Sequence, residues 1–218
     1  MSIMNRINAV QETIFNTSKR KKEVTIIGVT KYVDVQSAES LLANGISNLG
    51  ENRPEAFLEK YEAIGNRATW HFIGSLQTRK VRDVINKIDF LHSLDRESLA
   101  AEIQKRATRN VKCFVQVNMS GEVAKHGVAP DDAVAFVRSL AIYDKIEVIG
   151  LMTMAANTSD KVEIKQTFER LALLRETIAA LALDFAPCAE LSMGMSNDFE
   201  IAVACGATYV RLGSVLLG

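Results

Sequence analysis

Apolar positions fall along this chain in two alternating rhythms. Residues 3–20 place Ile3, Ile7, Val10 and Ile14 at the spacing of one helix face, so an amphipathic helix is expected to open the chain. Short apolar runs with the look of strands follow at 24–30 (VTIIGVT), 46–50 (ISNLG), 69–73 (TWHFI) and 88–94 (IDFLHSL). Four more lie at 111–117 (VKCFVQV), 146–152 (IEVIGLM), 189–193 (AELSM) and 208–212 (TYVRL). The segments between them carry helical periodicity. It is clearest after the sixth run, where Phe168, Leu171, Leu174, Ile178 and Leu181 share a face.

Strand-length runs separated by helices predict βαβ units and a parallel sheet. Eight such units match an α/β fold of the (β/α)8 TIM-barrel type, which typically takes about 250 residues and fewer when loops are short. A doubly wound open sheet is the rival, but it usually stops near about six strands, and no GxGxxG follows the first run. Only three prolines and no Ser/Gly-rich linker interrupt the 218 residues. One domain over 1–218, with an extra N-terminal helix, is therefore expected.

Composition narrows the partners. Lys plus Arg equals Asp plus Glu at 26 each, so no charge excess points to nucleic acid or an anionic membrane. The local cluster Lys19-Arg20-Lys21-Lys22 reads as the solvated end of a helix. Cys113, Cys188 and Cys205 sit in separate apolar contexts without metal-type spacing, which predicts buried free thiols and a reducing compartment. No signal-length apolar run opens the chain, and none approaches roughly 18 residues. A soluble cytoplasmic protein is expected.

In a barrel of this kind chemistry gathers where the strands end. The first strand delivers Lys31, the second Glu51 and Asn52, and the third His71 and Gly74. The fifth ends at Asn118, the sixth in GLMTM, the seventh in SMGMS and the eighth in VRLGS. Each has a plainer reading. Lys31 alone is best taken as a snorkelling side chain. Asn52 with Glu55 makes a helix N-cap pair, His71 a satisfied interior histidine, and Met193 and Met195 packing. Gly74 and Gly150 can serve tight geometry only.

The last two strands resist that reading. SMGMSND puts Gly194 in a tight turn, with Ser196 and Asn197 opening the next short helix; VRLGS repeats the plan with Gly213 and Ser214. Small residues at helix starts expose N–H groups that favour an anion, and barrels often hold phosphate after strands seven and eight. Lys31 is their neighbour around a closed barrel, so a phosphorylated aldehyde bound there could form a Schiff base with it. Desolvation at the rim is expected to keep that amine neutral. Arg211 either braces the phosphate or faces the ring nitrogen of a pyridine cofactor, where a cation would leave the ring unprotonated.

VTK, GENRPE, WHFIGSLQ, VNMSGEVAKHG, GLMTM and above all LSMGMSNDFEIAVACGATYVRLGS resemble the pyridoxal phosphate homeostasis (YggS/PROSC-like) family. That family is similar to the N-terminal barrel of alanine racemase. The resemblance runs from the first strand to the C-terminus. It implies pyridoxal 5′-phosphate held as an internal aldimine on Lys31. It also implies Ser196, Gly213 and Ser214 at the phosphate, Arg211 at the pyridine nitrogen, and Asn52, His71 and Met193 around the cofactor. Family members are regarded as carriers or regulators of cofactor supply and of amino- and keto-acid balance, without established turnover. Pyridoxal phosphate-dependent apo-enzymes are the implied partners, and a monomer is expected. Two departures stand out: the family's HxIGxLQxNK reads HFIGSLQTRK, with Arg79 for Asn, and its IGTAIFG-like ending reads LGSVLLG. Arg79 is expected at the rim or surface.

The residues themselves favour a non-enzyme. Racemases of the similar barrel add a β-rich domain and a tyrosine from the partner subunit, whereas this chain ends at Gly218 after the eighth strand. Of Tyr32, Tyr61, Tyr143 and Tyr209, only Tyr32 is expected near the rim. The alternatives are a racemase-like enzyme using the same cofactor, and a cofactor-free Schiff-base aldolase or lyase.

Overall fold

Every predicted apolar run forms a parallel strand, and the strands close on themselves in chain order. The structure is a computed structural model and describes residues 2–18, 23–121 and 126–218; the Lys19–Lys22 cluster lies outside the described residues. After α1 (Ile3–Thr17) the first half runs β1 (Thr25–Val29), α2 (Val35–Ala43), β2 (Asn48–Glu51), α3 (Pro54–Ile64), β3 (Thr69–Phe72), α4 (Val81–Val84), β4 (Phe90–Leu94) and α5 (Glu97–Arg106). The second half runs β5 (Val111–Gln116), α6 (Ala133–Ser139), β6 (Ile146–Met152), α7 (Lys161–Ala179), β7 (Glu190–Met195), α8 (Phe199–Ala204), β8 (Tyr209–Leu212) and α9 (Ser214–Leu217). β8 pairs with β1, setting Arg211 opposite Ile27, so the sheet is a closed barrel and not an open one.

Strand pleating sorts the side chains into two cores. Leu49, Trp70, Leu91, Cys113, Leu191, Val210 and Leu212 point outward and pack with the helices in one large apolar layer. Phe114, Ile149 and Met152 point inward and form a separate cluster with Phe90 and Tyr209. The interior is thus floored by aromatic rings, with Tyr209 edge-on to Phe114 at 5.2 Å between centroids. Of the cysteines, Cys113 and Cys188 are buried free thiols as expected, while Cys205 is only half-buried at the end of α8.

The opening helix has a specific task. Ser2 caps α1, its hydroxyl accepting from the Asn5 N–H, and Ile7, Val10 and Ile14 pack inward. α1 lies against α8 and α9. From it Arg6 donates Nε to the Leu216 carbonyl (2.8 Å) and Nη2 to the Leu217 carbonyl (3.1 Å), satisfying carbonyls that a helix end leaves open. The chain's first helix therefore fastens its last.

Glycines sit where strand backbones nearly touch. A Cβ on Gly150 would lie 2.1 Å from the Glu190 carbonyl oxygen, its partner residue on β7, and one on Gly74 would lie 2.2 Å from the Asn52 carbonyl oxygen. Gly194 differs from the turn expected of it: β7 continues through it to Met195. It adopts φ +94° where the β7–β8 register shifts between Ser192 and Met195. The inserted residue here is accommodated with a left-handed backbone, which costs glycine little. Gly150→Ala should destabilise the barrel by roughly 1–3 kcal/mol, because backbone must move to admit the methyl group. Urea denaturation would check this, and an unchanged midpoint would show that β6 and β7 are not in such close contact.

Candidate functional site

Lys31 leaves the end of β1 on a backbone that is firmly held. Thr30, the preceding residue, donates its N–H to the Gly50 carbonyl (3.0 Å) and its Oγ1 to Glu51 Oε1 (2.6 Å). Glu51 is fully buried and pairs with the buried Lys60 of α3 at 2.8 Å, so the tips of β1 and β2 are locked to the helix layer. A buried pair of this kind adds little net stability, but removing one partner strands a charge. The Lys31 side chain itself is exposed, with Nζ 4.8 Å from the centroid of the Tyr32 ring. The desolvation expected of a rim amine is absent, because the strand end opens to solvent.

The predicted anion-binding residues do come together. Ser196 follows β7, and its Oγ accepts from the backbone N–H groups of Gly213 (3.2 Å) and Val215 (3.3 Å). One hydroxyl thus joins the loop after β7 to the first turn of α9. Gly213 also abuts β1: a Cβ there would lie 3.5 Å from the Val29 carbonyl oxygen, two residues before Lys31. Ser214 is exposed beside it. Asp198, mostly buried, accepts from the Met195 N–H at 2.5 Å and closes the turn that carries Ser196. Burial raises its carboxyl above the ordinary range.

Arg211 projects inward from β8 and is 5% exposed. Its Nη1 donates to Ser192 Oγ (2.6 Å) and its Nη2 to the Thr153 carbonyl (2.9 Å). Among the described residues no carboxylate lies within ion-pairing distance of it. Burial lowers its pKa to about 10, offset in part by the field of Asp198. A guanidinium so enclosed is hydrogen-bonded only to neutral acceptors, and burying such a charge carries an effective penalty of several kcal/mol that Asp198 offsets only in part.

Beyond Ser192 the polar contacts continue across the barrel. Ser192 Oγ is 2.9 Å from His92 Nδ1, His92 Nε2 is 2.9 Å from His71 Nδ1, and His71 Nε2 is 2.9 Å from Asn48 Oδ1. The rings rest on the aromatic floor, His71 stacked on Phe90 at 4.5 Å and His92 on Phe114 at 4.4 Å. Burial depresses the pKa of His71 to about 3, and pushes that of His92 well below its ordinary value, with the charges of His71 and Arg211 adding to the effect.

Two expected contact residues stand elsewhere. Met193 is fully buried among the outward core residues of β7, since pleating turns it toward the helices while Ser192 takes the inward position. His71 is inward but 0% exposed, with both ring nitrogens engaged, so a ligand at the mouth meets no surface of it. Asn52 stands half-buried past β2; its helix-cap reading fails, because Arg53 is the N-cap of α3 and makes no side-chain cap bond. Arg79 is exposed in a short turn before α4, its Nε on Gln77 Oε1, as expected of a surface position. Sequence reasoning passed over Asn48, His92, Thr153 and Ser192. The signal for Ser192 was its spacing from Met193 in SMGMS, one step along a strand.

The family model of the alanine racemase N-terminal domain matches residues 7–218. The chain is 36% identical to the pyridoxal phosphate homeostasis protein of Aquifex aeolicus, covering 100% of this chain and 98% of that one. It is 28% identical to the protein of the same name from Haemophilus influenzae, covering 100% and 96%. Among solved structures, PipY of Synechococcus elongatus with PLP bound superposes with a TM-score of 0.88 at 27% identity, with 100% of both chains covered. Alanine racemase from Corynebacterium glutamicum shares the fold, with a TM-score of 0.72 at 16% identity over 99% of this chain and 61% of that one.

The buried histidines make acid sensitivity predictable. Both stay neutral in the fold, while the unfolded chain takes up protons at its imidazoles below about pH 6.5. The unfolded state then binds more protons, so stability falls as pH falls from about 6.5 toward the folded-state value of about 3 for His71. The expected loss is about 1.5 kcal/mol per ring between pH 6.5 and 5. Urea midpoints at the two pH values should show it, and a His71→Asn, His92→Asn double variant should lose correspondingly less; equal losses would place the rings outside the barrel.

Proposed function

Because the chain belongs to the alanine racemase N-terminal domain family, among its pyridoxal phosphate homeostasis proteins, we propose that it binds pyridoxal 5′-phosphate at the barrel mouth as a carrier and regulator of cofactor supply. In this reading residues 1–218 act as one barrel domain. Lys31 is the attachment point, Ser196, Gly213 and Ser214 hold the phosphate, and Arg211 faces the ring nitrogen. Asn52 borders the site past β2.

The observation that carries the reading is Arg211: a buried guanidinium whose hydrogen-bond partners are both neutral, on the strand that leads directly into Gly213 and Ser214 and beside the strand that leads to Lys31. An electron-rich ring nitrogen and a nearby phosphate suit such a cation better than bulk water does. Bound there, pyridoxal phosphate supplies an amine-reactive aldehyde and an electron-withdrawing ring. Lys31 offers the amine from a fixed backbone and a free side chain. Ser196 keeps the Gly213 and Val215 N–H groups aligned until an anion approaches. Arg211, as a permanent donor, leaves the ring nitrogen without a proton and so favours holding the cofactor over turning substrates over.

The site also has little to move protons with. Tyr32 stands beside Lys31 but is 81% exposed, so its hydroxyl acts in water and not in an enclosed pocket. Supply of the cofactor to apo-enzymes is the use this arrangement suits.

Absorption of the purified protein loaded with pyridoxal phosphate provides the test. The expected result is a yellow species bleached by borohydride, with the reduced label mapping to the peptide that contains Lys31. Lys31→Ala should abolish the reducible label while retaining weaker, phosphate-anchored binding. A label on another lysine would overturn the assignment. A colourless protein that cleaves sugar phosphates would favour the aldolase reading, and sustained racemisation of L-alanine the enzyme reading.

A further inference from the structure

The inward side chains of β2, β3, β4, β7 and β8 meet in one continuous line, and the amide orientation of Asn48 sets the order of its donors and acceptors. Arg211 has only donors, so Ser192 Oγ must accept from it at 2.6 Å. At the far end Asn48 presents its Oδ1, an acceptor, to His71 Nε2 at 2.9 Å, so that nitrogen carries the proton. His71 stays neutral inside the barrel, which leaves its Nδ1 as an acceptor for the Nε2–H of His92 at 2.9 Å. His92 Nδ1 is then an acceptor in turn, and the only proton available to it is that of the Ser192 hydroxyl, 2.9 Å away.

We propose that Asn48, His71, His92 and Ser192 form a one-way hydrogen-bond line that positions Arg211, with Ser192 and His92 as positioning residues for the guanidinium. The line draws the Ser192 proton away from Arg211 and keeps the serine lone pair facing the guanidinium. A serine hydroxyl can otherwise rotate and meet the cation with its own hydrogen. With the Thr153 carbonyl as second acceptor, the guanidinium is held in one orientation on neutral groups alone. Among the described residues no carboxylate touches it, and Asp198 acts on it only through its field. The histidines are well suited to this: burial keeps both from protonating, and a charged ring would reverse the line and repel Arg211.

The line is a property of the ligand-free chain, whereas its benefit to a bound cofactor rests on the reading given above. The two are separable by experiment. Long-range 15N–1H correlation spectra of histidine-labelled, ligand-free protein read the tautomers directly, with exposed His126 as the reference for a solvent-accessible ring. The expected result is the neutral Nε2–H form for both His71 and His92, unchanged over about pH 5–8. An Nδ1–H tautomer or a charged ring at either position would overturn the proposal.

Ser192→Ala should release His92 to a mixture of tautomers and weaken pyridoxal phosphate binding about tenfold, the scale of one hydrogen bond to a charged group. Ser192→Thr, which restores the hydroxyl, should restore both readouts. Unchanged tautomers and affinity in Ser192→Ala would also overturn the proposal, and the native spectra decide it even if that variant does not fold. If the native protein takes up no pyridoxal phosphate, the carrier reading fails alone, and the tautomers still decide the line.

Discussion

The site is organised around the cost of keeping Arg211 inside the barrel. A guanidinium removed from water must be given acceptors, and each acceptor here is neutral: the Ser192 hydroxyl and the Thr153 carbonyl. Ser192 can serve only if its own proton goes elsewhere, which brings in His92, then His71, then Asn48. The aromatic floor of Phe90, Phe114 and Tyr209 supports the rings and excludes the water that would otherwise solvate the charge.

Closure makes that arrangement possible. In an open sheet β1 and β8 would be edges far apart; in the barrel they pair, and Gly213 comes against Val29, two residues before Lys31. The mouth is then held at three places. Thr30, Glu51 and Lys60 lock the base of Lys31, Ser196 joins the loop after β7 to the start of α9, and Arg6 on α1 fastens the end of α9. The result is an exposed amine on rigid supports.

The architecture was legible because its signals are local. Apolar runs of strand length recur between helical periodicities, and each became a strand of the barrel within a few residues of its expected bounds. Glycine positions were also readable as close contacts, although Gly150 and Gly74 needed the structure to show what they touch. Strand extent was less so: Gly194 reads as a turn residue, yet β7 continues through it because the shift in register absorbs its φ of +94°.

The sequence by itself determined the number and order of the strands, the residues at their ends, and the motif from which Lys31, Ser196, Arg211, Gly213 and Ser214 were expected to share a site. These depend on periodicity and on short runs, which the linear chain displays. Only the tertiary structure decided which of two adjacent residues faces the barrel interior, turning Ser192 inward and Met193 outward, and leaving His71 beneath the mouth with no surface for a ligand. It alone joined His71 to His92 and His92 to Ser192, 100 residues apart in the chain. Hydrogen-bond direction depends on partners that closure brings together, and no local pattern of residues encodes who those partners are.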